Sequence, residues 1–388
     1  MVFSASWCRG CLPAAFALAL ISGSAAGEEW SELLKDPQDG RLDGSRWLLE
    51  RRGFLPVPII ITEPAVGYGG GLALAFFHRH AQSSAPPPPG EKPTFIPPSV
   101  TGVMAAATEN GTKIGGLGHL GIWRNNTLRY TGALAAMDIN LTFYGGEDYP
   151  RLEDGVGYNM KGWATFQQLI WKMGDSDIWL GPQLIYLESD TGLDEDNAPP
   201  IFDQLNGTVE NFGAGFAVQY DTRDNIFTPS RGLQSEWYVR EHWGSFVDDF
   251  DYTEIDGKNR FYLDPNDKWV VGLRLDVNFT SGDVPFYALP SINQRGIQKG
   301  RYQGDAVFAT EVETRYDIDG RWFGVAFAGV GRAADSIDEL DSAESRWAGG
   351  VGVRYLIARL LGLQVGLDVA KGPEEWTFYL QTGSGWGM

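Results

Sequence analysis

The chain has 388 residues, with 31 Lys+Arg against 50 Asp+Glu, a formal charge of -19 and a pI near 4.6. An acidic balance of that size repels phosphate and excludes nucleic acid as a partner. The 50 glycines and the 14 Trp, 15 Tyr and 21 Phe, within only 43% hydrophobic residues, suit a β-protein with one apolar face and exclude a helical membrane protein.

At the N-terminus, Arg9 precedes an apolar stretch from Leu12 to Ile21, and small residues follow from Ser22 to Gly27. This is the order of a cleaved export signal, with cleavage after Ala26 or Gly27. Residues 1–27 are therefore expected to be a signal peptide, and 28–55 a short periplasmic segment. The apolar stretch is about half of what a spanning helix needs, which argues against a membrane anchor. Both cysteines, Cys8 and Cys11, precede that stretch. The mature chain would have no thiol, hence no disulfide and no thiolate ligand or nucleophile. No later run reaches the roughly 18 apolar residues of a spanning helix.

From about Pro56 the sequence alternates with period two. In chain order, strands are expected at 56–62, 67–79, 98–108, 111–123, 126–138, 156–172, 177–188, 208–220, 232–242, 250–264, 268–280, 304–317, 320–332, 345–356, 360–370 and 375–386. The clearest places Trp269, Val271, Leu273, Leu275, Val277 and Phe279 on one face and Gly272, Arg274, Asp276 and Asn278 on the other. Another sets Leu361, Leu363, Val365, Leu367 and Val369 against Gly362, Gln364, Gly366 and Asp368. Alternation over more than about ten residues exceeds the usual soluble strand and fits tilted strands that cross an outer membrane. Connections alternate long and short, as external loops and periplasmic turns do. The Pro-rich 80–97 connection breaks that parity. A soluble sandwich or propeller would need polar outer faces and, for the propeller, a repeat that is not visible. The expected fold is all-β: a 16-stranded antiparallel transmembrane β-barrel over 56–388, exported to the outer membrane of a Gram-negative cell.

Two stretches carry more. Asp221-Thr-Arg-Asp-Asn-Ile-Phe-Thr-Pro-Ser-Arg-Gly232 concentrates the residues of a hydrogen-bonded chain reversal between two strands. Its Asp221, Arg223, Asp224, Asn225, Pro229 and Gly232 resemble the turn motif of the BamA/TamA outer-membrane barrels, the bacterial surface antigen family. The long segment after Phe279 holds Arg295-Gly296-Ile297, then a strand with Glu311, Glu313 and Arg315. It resembles the family's sixth external loop, whose Arg-Gly-aromatic tip folds into the lumen. The likeness spans roughly 56–388. Ile297 stands where the family has an aromatic, with Tyr302 as a substitute, and Trp386 is followed by Gly387-Met388 where the family ends on an aromatic. The family's receptors carry POTRA domains before the barrel, for which the expected 28-55 segment is too short.

Residue logic supplies the same contact. On 304–317, Glu311, Glu313 and Arg315 share the polar face, so an inward Arg295 would meet carboxylates and tie the loop to the wall. Pro56 and Pro58 in the first strand cannot donate to a ladder, and Gly383 and Gly385 weaken the last, so the closing seam is expected to be poorly bonded. Other patterns carry no chemistry. Gly116-x-Gly118-x-x-Gly121 lies inside a strand, His78 and His80 have no further ligand nearby, Asp194–Asn197 and Asp248–Asp251 read as solvated acidic loops rather than Ca²⁺ sites, and no G-x-S-x-G elbow occurs. No catalytic residue, metal or cofactor is expected. The resemblance implies outer-membrane biogenesis, by protein insertion or translocation or by lipid handling. The implied partners are outer-membrane lipids, nascent outer-membrane or exported polypeptides, and a separate periplasmic protein in place of POTRA domains. The alternative is a passive pore or surface-antigen barrel, since fold does not fix function.

Overall fold

The computed structural model describes residues 34–46, 54–78, 99–144, 155–193, 206–246 and 248–386. The expected signal peptide 1–27, the 80–97 connection with His80, and the acidic loop Asp194–Asn197 lie outside the described residues. The strands are β1 (Phe54–Ile61), β2 (Gly69–His78), β3 (Ser99–Thr108), β4 (Lys113–Trp123), β5 (Leu128–Phe143), β6 (Val156–Lys172), β7 (Ile178–Leu193) and β8 (Gly207–Asp221). They continue as β9 (Gly232–Ser245), β10 (Asp249–Asn266), β11 (Trp269–Gly282), β12 (Ala306–Asp317), β13 (Trp322–Ala334), β14 (Arg346–Ala358), β15 (Leu363–Lys371) and β16 (Trp376–Thr382).

All 16 form one sheet in sequence order, each strand antiparallel to its neighbours. Among the described residues no ladder joins β16 to β1. Strand number, order and class are those the alternation predicts. The last strand is shorter than expected: it stops at Thr382, so Gly383 and Gly385 fall in the tail beyond it. Gly383 sits at φ +76, a backbone conformation that ends a strand.

Alternation fixes what each face meets. Most outward residues are apolar and exposed, among them Leu72, Val103, Leu117, Leu273, Val312, Val351 and Leu367. Paired aromatics mark the turn end of the outer wall: Trp269 lies 4.8 Å from Tyr316 and Trp322 4.9 Å from Tyr355, ring to ring, as an interfacial girdle requires. Inward residues include buried charges such as Arg240, Glu254, Glu311 and Asp368 and large apolar groups such as Phe143, Ile170, Trp179 and Phe327, and they do not surround an empty bore. The connection 283–305 turns inward. Its 3-10 turn Phe286–Ala288 packs on Phe143, Tyr158, Val209 and Tyr252, and Ile292 and Ile297 pack on Val307 and Ala348.

The wall is uneven. Strand β10 has 18 residues and β6 17, whereas β1 has 8 and β16 has 7. At about 3.3 Å per residue that is roughly 60 Å of strand against about 23 Å. The short strands flank the unpaired edge.

Candidate functional site

The inward connection brings Arg295 against the polar face of β12. Its Nε lies 3.2 Å from Oε1 of Glu311, to which Nη2 also donates, and Nη2 is 2.8 Å from Glu313. A third carboxylate comes from β15: Nη1 donates to Asp368 at 2.7 Å. Arg354 on β14 donates to the same Asp368 at 2.8 Å, and Arg315 Nε lies 4.0 Å from Glu313. Three guanidinium groups thus face three carboxylates, all buried. The balance matters, because an unpaired charge so far from water is costly. The guanidinium carbon of Arg295 also lies 3.6 Å above the centre of the Phe327 ring, a stacked arrangement available to Arg and not to Lys.

Gly296 lets the loop tip approach the wall. It has φ +91, and a Cβ there would lie 3.1 Å from Gly372 N and 3.2 Å from Ala348 Cβ. Its N–H donates to the Tyr379 hydroxyl at 2.9 Å. Ile297, at the position of the family's aromatic, is buried in the Ile292–Val307–Ala348 cluster. Tyr302 is partly buried against that cluster, its ring under Arg346 and its hydroxyl donating to Glu374. Sequence reasoning found Arg295, Glu311 and Glu313 but missed Asp368, Arg354 and Tyr379. The first two were visible as charges on the polar faces of neighbouring strands.

The C-terminal tail enters the same cluster. After Thr382, Gly383 N–H donates to Gln364 O at 2.7 Å, and Trp386 Nε1 donates to Glu311. The Trp386 ring stands 5.6 Å from that of Tyr262. A Cβ on Gly385 would lie 2.3 Å from Glu313 Oε2 and 2.4 Å from Arg295 Nη1, so a larger residue there would displace the ends of that ion pair. Pro56 and Pro58 lie in β1, in register with Leu74 and Leu72 of β2. Lacking N–H groups, they leave that strand short of donors.

The turn 221–232 joins β8 to β9 and is tied by its own side chains. Asp221 accepts from Arg223 Nε at 2.9 Å. Asp224 accepts from Ser230 N at 2.9 Å and Arg231 N at 3.1 Å. Asn225 Oδ1 accepts from Phe227 N at 2.7 Å and Thr228 N at 2.9 Å. Gly232 is needed at φ +103, where a Cβ would meet Thr222 O at 2.4 Å. The turn also reaches distant elements. Asn225 Nδ2 donates to Leu361 O at 3.0 Å beyond β14, Arg315 of β12 donates to Pro229 O, and Ser384 N of the tail donates to Phe227 O at 2.9 Å. It therefore ties β8–β9 to the opposite part of the rim and to the chain end.

A second rim contact had no forecast. Asp36, Asp39 and Asp43, before β1, converge on Arg321 in the β12–β13 turn. Arg321 donates to Asp39 at 2.6 Å and Asp43 at 2.8 Å, and also to Asp36. Arg359, after β14, donates to Asp36 at 3.0 Å, and Gly44 N to Ile357 O at 2.6 Å. Burial pushes the Asp36 carboxyl up, but the Gln38 N–H and Arg359 outweigh it and hold it below the usual range. Arg321 holds Asp39 low. Asp319, under the Trp322 N–H and Arg41, is brought down to about 2. The clue in the sequence was Asp-Pro-Gln-Asp-Gly-Arg-Leu-Asp, a turn-rich acidic run with no apolar face of its own.

Among the described residues, no group of three His, Cys, Asp or Glu is placed to hold a metal.

This architecture, a 16-stranded antiparallel barrel with an inward Arg-Gly loop, is that of an outer-membrane barrel. The Omp85 superfamily domain matches residues 182–386, more than half of the chain, and the protein belongs to that superfamily. A search of curated proteins gave no match. Among solved structures, the chain is similar to BamA from Haemophilus ducreyi lacking POTRA domains 1-3, with TM-score 0.57, 11% identity, and coverage of 86% of this chain and 70% of that one. It is also similar to CdiB from Acinetobacter baumannii (TM-score 0.51, 11% identity, 85% of this chain and 59% of that chain). CdiB from Escherichia coli gives TM-score 0.52 at 12% identity, over 84% of this chain and 61% of that chain. Identities this low carry the fold and leave the activity open.

Proposed function

We propose that the protein serves outer-membrane biogenesis, inserting or translocating polypeptide or handling lipid, without enzymatic chemistry. The observation that carries this reading is the pairing of two features at one place: an edge without a ladder between β1 and β16, and strands of 8 and 7 residues on either side of it. A strand too short for the hydrocarbon thickness thins the bilayer beside it, and a thinned bilayer resists insertion less. An edge with unpaired backbone groups is also a template for a further strand.

In this reading Arg295, Glu311, Glu313 and Arg315 hold the loop so that the lumen wall stays rigid while the edge moves. Pro56 and Pro58 keep that edge from sealing, while Gly383 and Gly385, beyond β16, let the tail turn into the lumen. Asp221, Arg223, Asp224, Asn225, Pro229 and Gly232 brace the periplasmic rim. The partners are membrane lipid, a nascent outer-membrane or exported polypeptide, and a periplasmic protein supplying what POTRA domains supply elsewhere. The signal 1–27 delivers the chain and is removed. A passive pore is the competing reading, and the inward loop and Trp386 stand against it by filling the lumen beside β12.

Cysteine pairs placed on β1 and β16 test the proposal. Oxidative cross-linking is expected to abolish complementation of a depleted strain, with outer-membrane proteins or lipid asymmetry lost, and reduction to restore it. Full complementation by the cross-linked barrel, together with salt-dependent conductance in planar bilayers, would establish the pore instead.

A further inference from the structure

The outer wall should be apolar, yet strands β2, β3 and β4 carry a polar group on it. The outward residues of β2 include Leu72 and Leu74 and end at His78. Those of β3 include Val103 and Thr101, and those of β4 include Leu117 and His119. His78 Nε2 lies 2.7 Å from Thr101 Oγ1, and Thr101 Oγ1 lies 2.8 Å from His119 Nδ1. The remaining ring nitrogens, Nδ1 of His78 and Nε2 of His119, have no partner among the described residues.

The surroundings are shaped for a guest. Trp123 and Tyr130 stack with centroids 5.7 Å apart and planes 9° apart, and the His119 ring stands about equally far from both, at 6.0 and 5.9 Å. Both rings lie flat along the wall. A Cβ on Gly121 would meet the Trp123 ring at 2.5 Å, and one on Gly132 the Tyr130 hydroxyl at 2.1 Å. The shelf sits at the turn end of the strands, beside the β4–β5 turn with the exposed Arg124. Aromatic side chains at that depth mark the level of lipid headgroups.

The chemistry selects an anion. A hydroxyl between two neutral imidazoles donates to one and accepts from the other. One outward ring nitrogen then carries a proton and donates, and with the exposed Arg124 beside it the shelf suits a phosphodiester oxygen. Polar groups facing hydrocarbon with unmet capacity are costly, and a headgroup meets that capacity.

We propose that His78, Thr101 and His119, framed by Trp123 and Tyr130, form a binding site for the phosphate of a phospholipid headgroup on the outer wall of β2–β5. The site is remote from the Arg295 cluster and stands independently of the biogenesis role. The test uses the purified full barrel in a neutral detergent, titrated with dihexanoyl-phosphatidylglycerol and read by native mass spectrometry and calorimetry. Thr101→Val and His119→Gln are expected to weaken binding about tenfold or more, the effect of losing charge-assisted hydrogen bonds. His242→Gln, inside the lumen, is expected to leave it unchanged. Heat-modifiable gel mobility checks that each variant is folded. Equal lipid binding by wild type and a folded Thr101→Val overturns the proposal. So does inorganic phosphate binding as tightly as the lipid, which would make this a free-anion site.

Discussion

Replacing Arg295 by Met removes one cation from a buried cluster in which three guanidinium groups face three carboxylates. The methionine keeps much of the side-chain length over Phe327, and Glu311 and Glu313 then keep the 4.0 Å contact to Arg315, the Trp386 N–H and the more distant Arg274. Removing one partner of a buried pair costs about 3–5 kcal/mol. If that cost falls on the docked loop, its open population rises by about two to three and a half orders of magnitude, at about 1.4 kcal/mol per factor of ten. The readout is maleimide labelling of an Ile297→Cys reporter in a background with Cys8 and Cys11 replaced by Ser. Ile297 is 2% exposed, so the parent labels only when the loop leaves the lumen. The Arg295→Met reporter is expected to label faster by that factor. Arg295→Lys, which keeps the charge and loses the fork, is expected to fall between. Adding Glu311→Gln to Arg295→Met is expected to slow labelling again by relieving like-charge repulsion. Unchanged labelling in Arg295→Met would refute the reasoning and assign the docking to the apolar contacts of Phe286, Tyr287 and Ile292.

Three further outcomes are expected. Gly296→Ala forces a Cβ into φ +91 against Gly372, costs about 1–2 kcal/mol, and raises the same labelling rate about tenfold. Asn225→Ala strips two N–H groups of their acceptor and cuts the bond to Leu361, lowering stability to urea by about 1–3 kcal/mol, whereas Asn225→Asp keeps the acceptor and loses less. Arg321→Ala frees the segment before β1 at neutral pH, seen as lost hydrogen-exchange protection at Asp43 N and Gly44 N. In the wild type those amides follow depressed carboxyls. Attachment is complete above the ordinary value of 3.8 and is lost as pH falls from there through about 2, the range set by Asp319. Loss of protection already at pH 6 would show that the carboxylates do not hold the segment.

How much of this was legible follows from what each feature rests on. Strand count and class were readable because period-two alternation is a local property, as at Trp269–Phe279. The Arg295 contact was half readable: Glu311 and Glu313 lie in the next strand, while Asp368 comes from three strands further on, and nothing local pairs them. The end of β16 at Thr382 was missed because Gly383 and Gly385 alternate acceptably with Tyr379 and Gln381. Only contacts to Phe227, Glu313 and Arg295 show why the chain turns there. The rim clamp around Arg321 showed locally only as a turn-rich acidic run, since three aspartates before the barrel meet an arginine nearly three hundred residues later.

That clamp changes what the unpaired edge is. The chain leaves Arg46 and enters β1 at Phe54, yet the residues just before it are held on the turns that follow β12 and β14, on the far side of β16. Residues that precede β1 in the chain are thus fastened at that rim to the strands beyond β16. At that rim Asp36, Asp39 and Asp43 are paired with Arg321 and Arg359, while at the loop end no such fastening stands among the described residues. The two ends of the unpaired edge are therefore chemically unequal among the described residues.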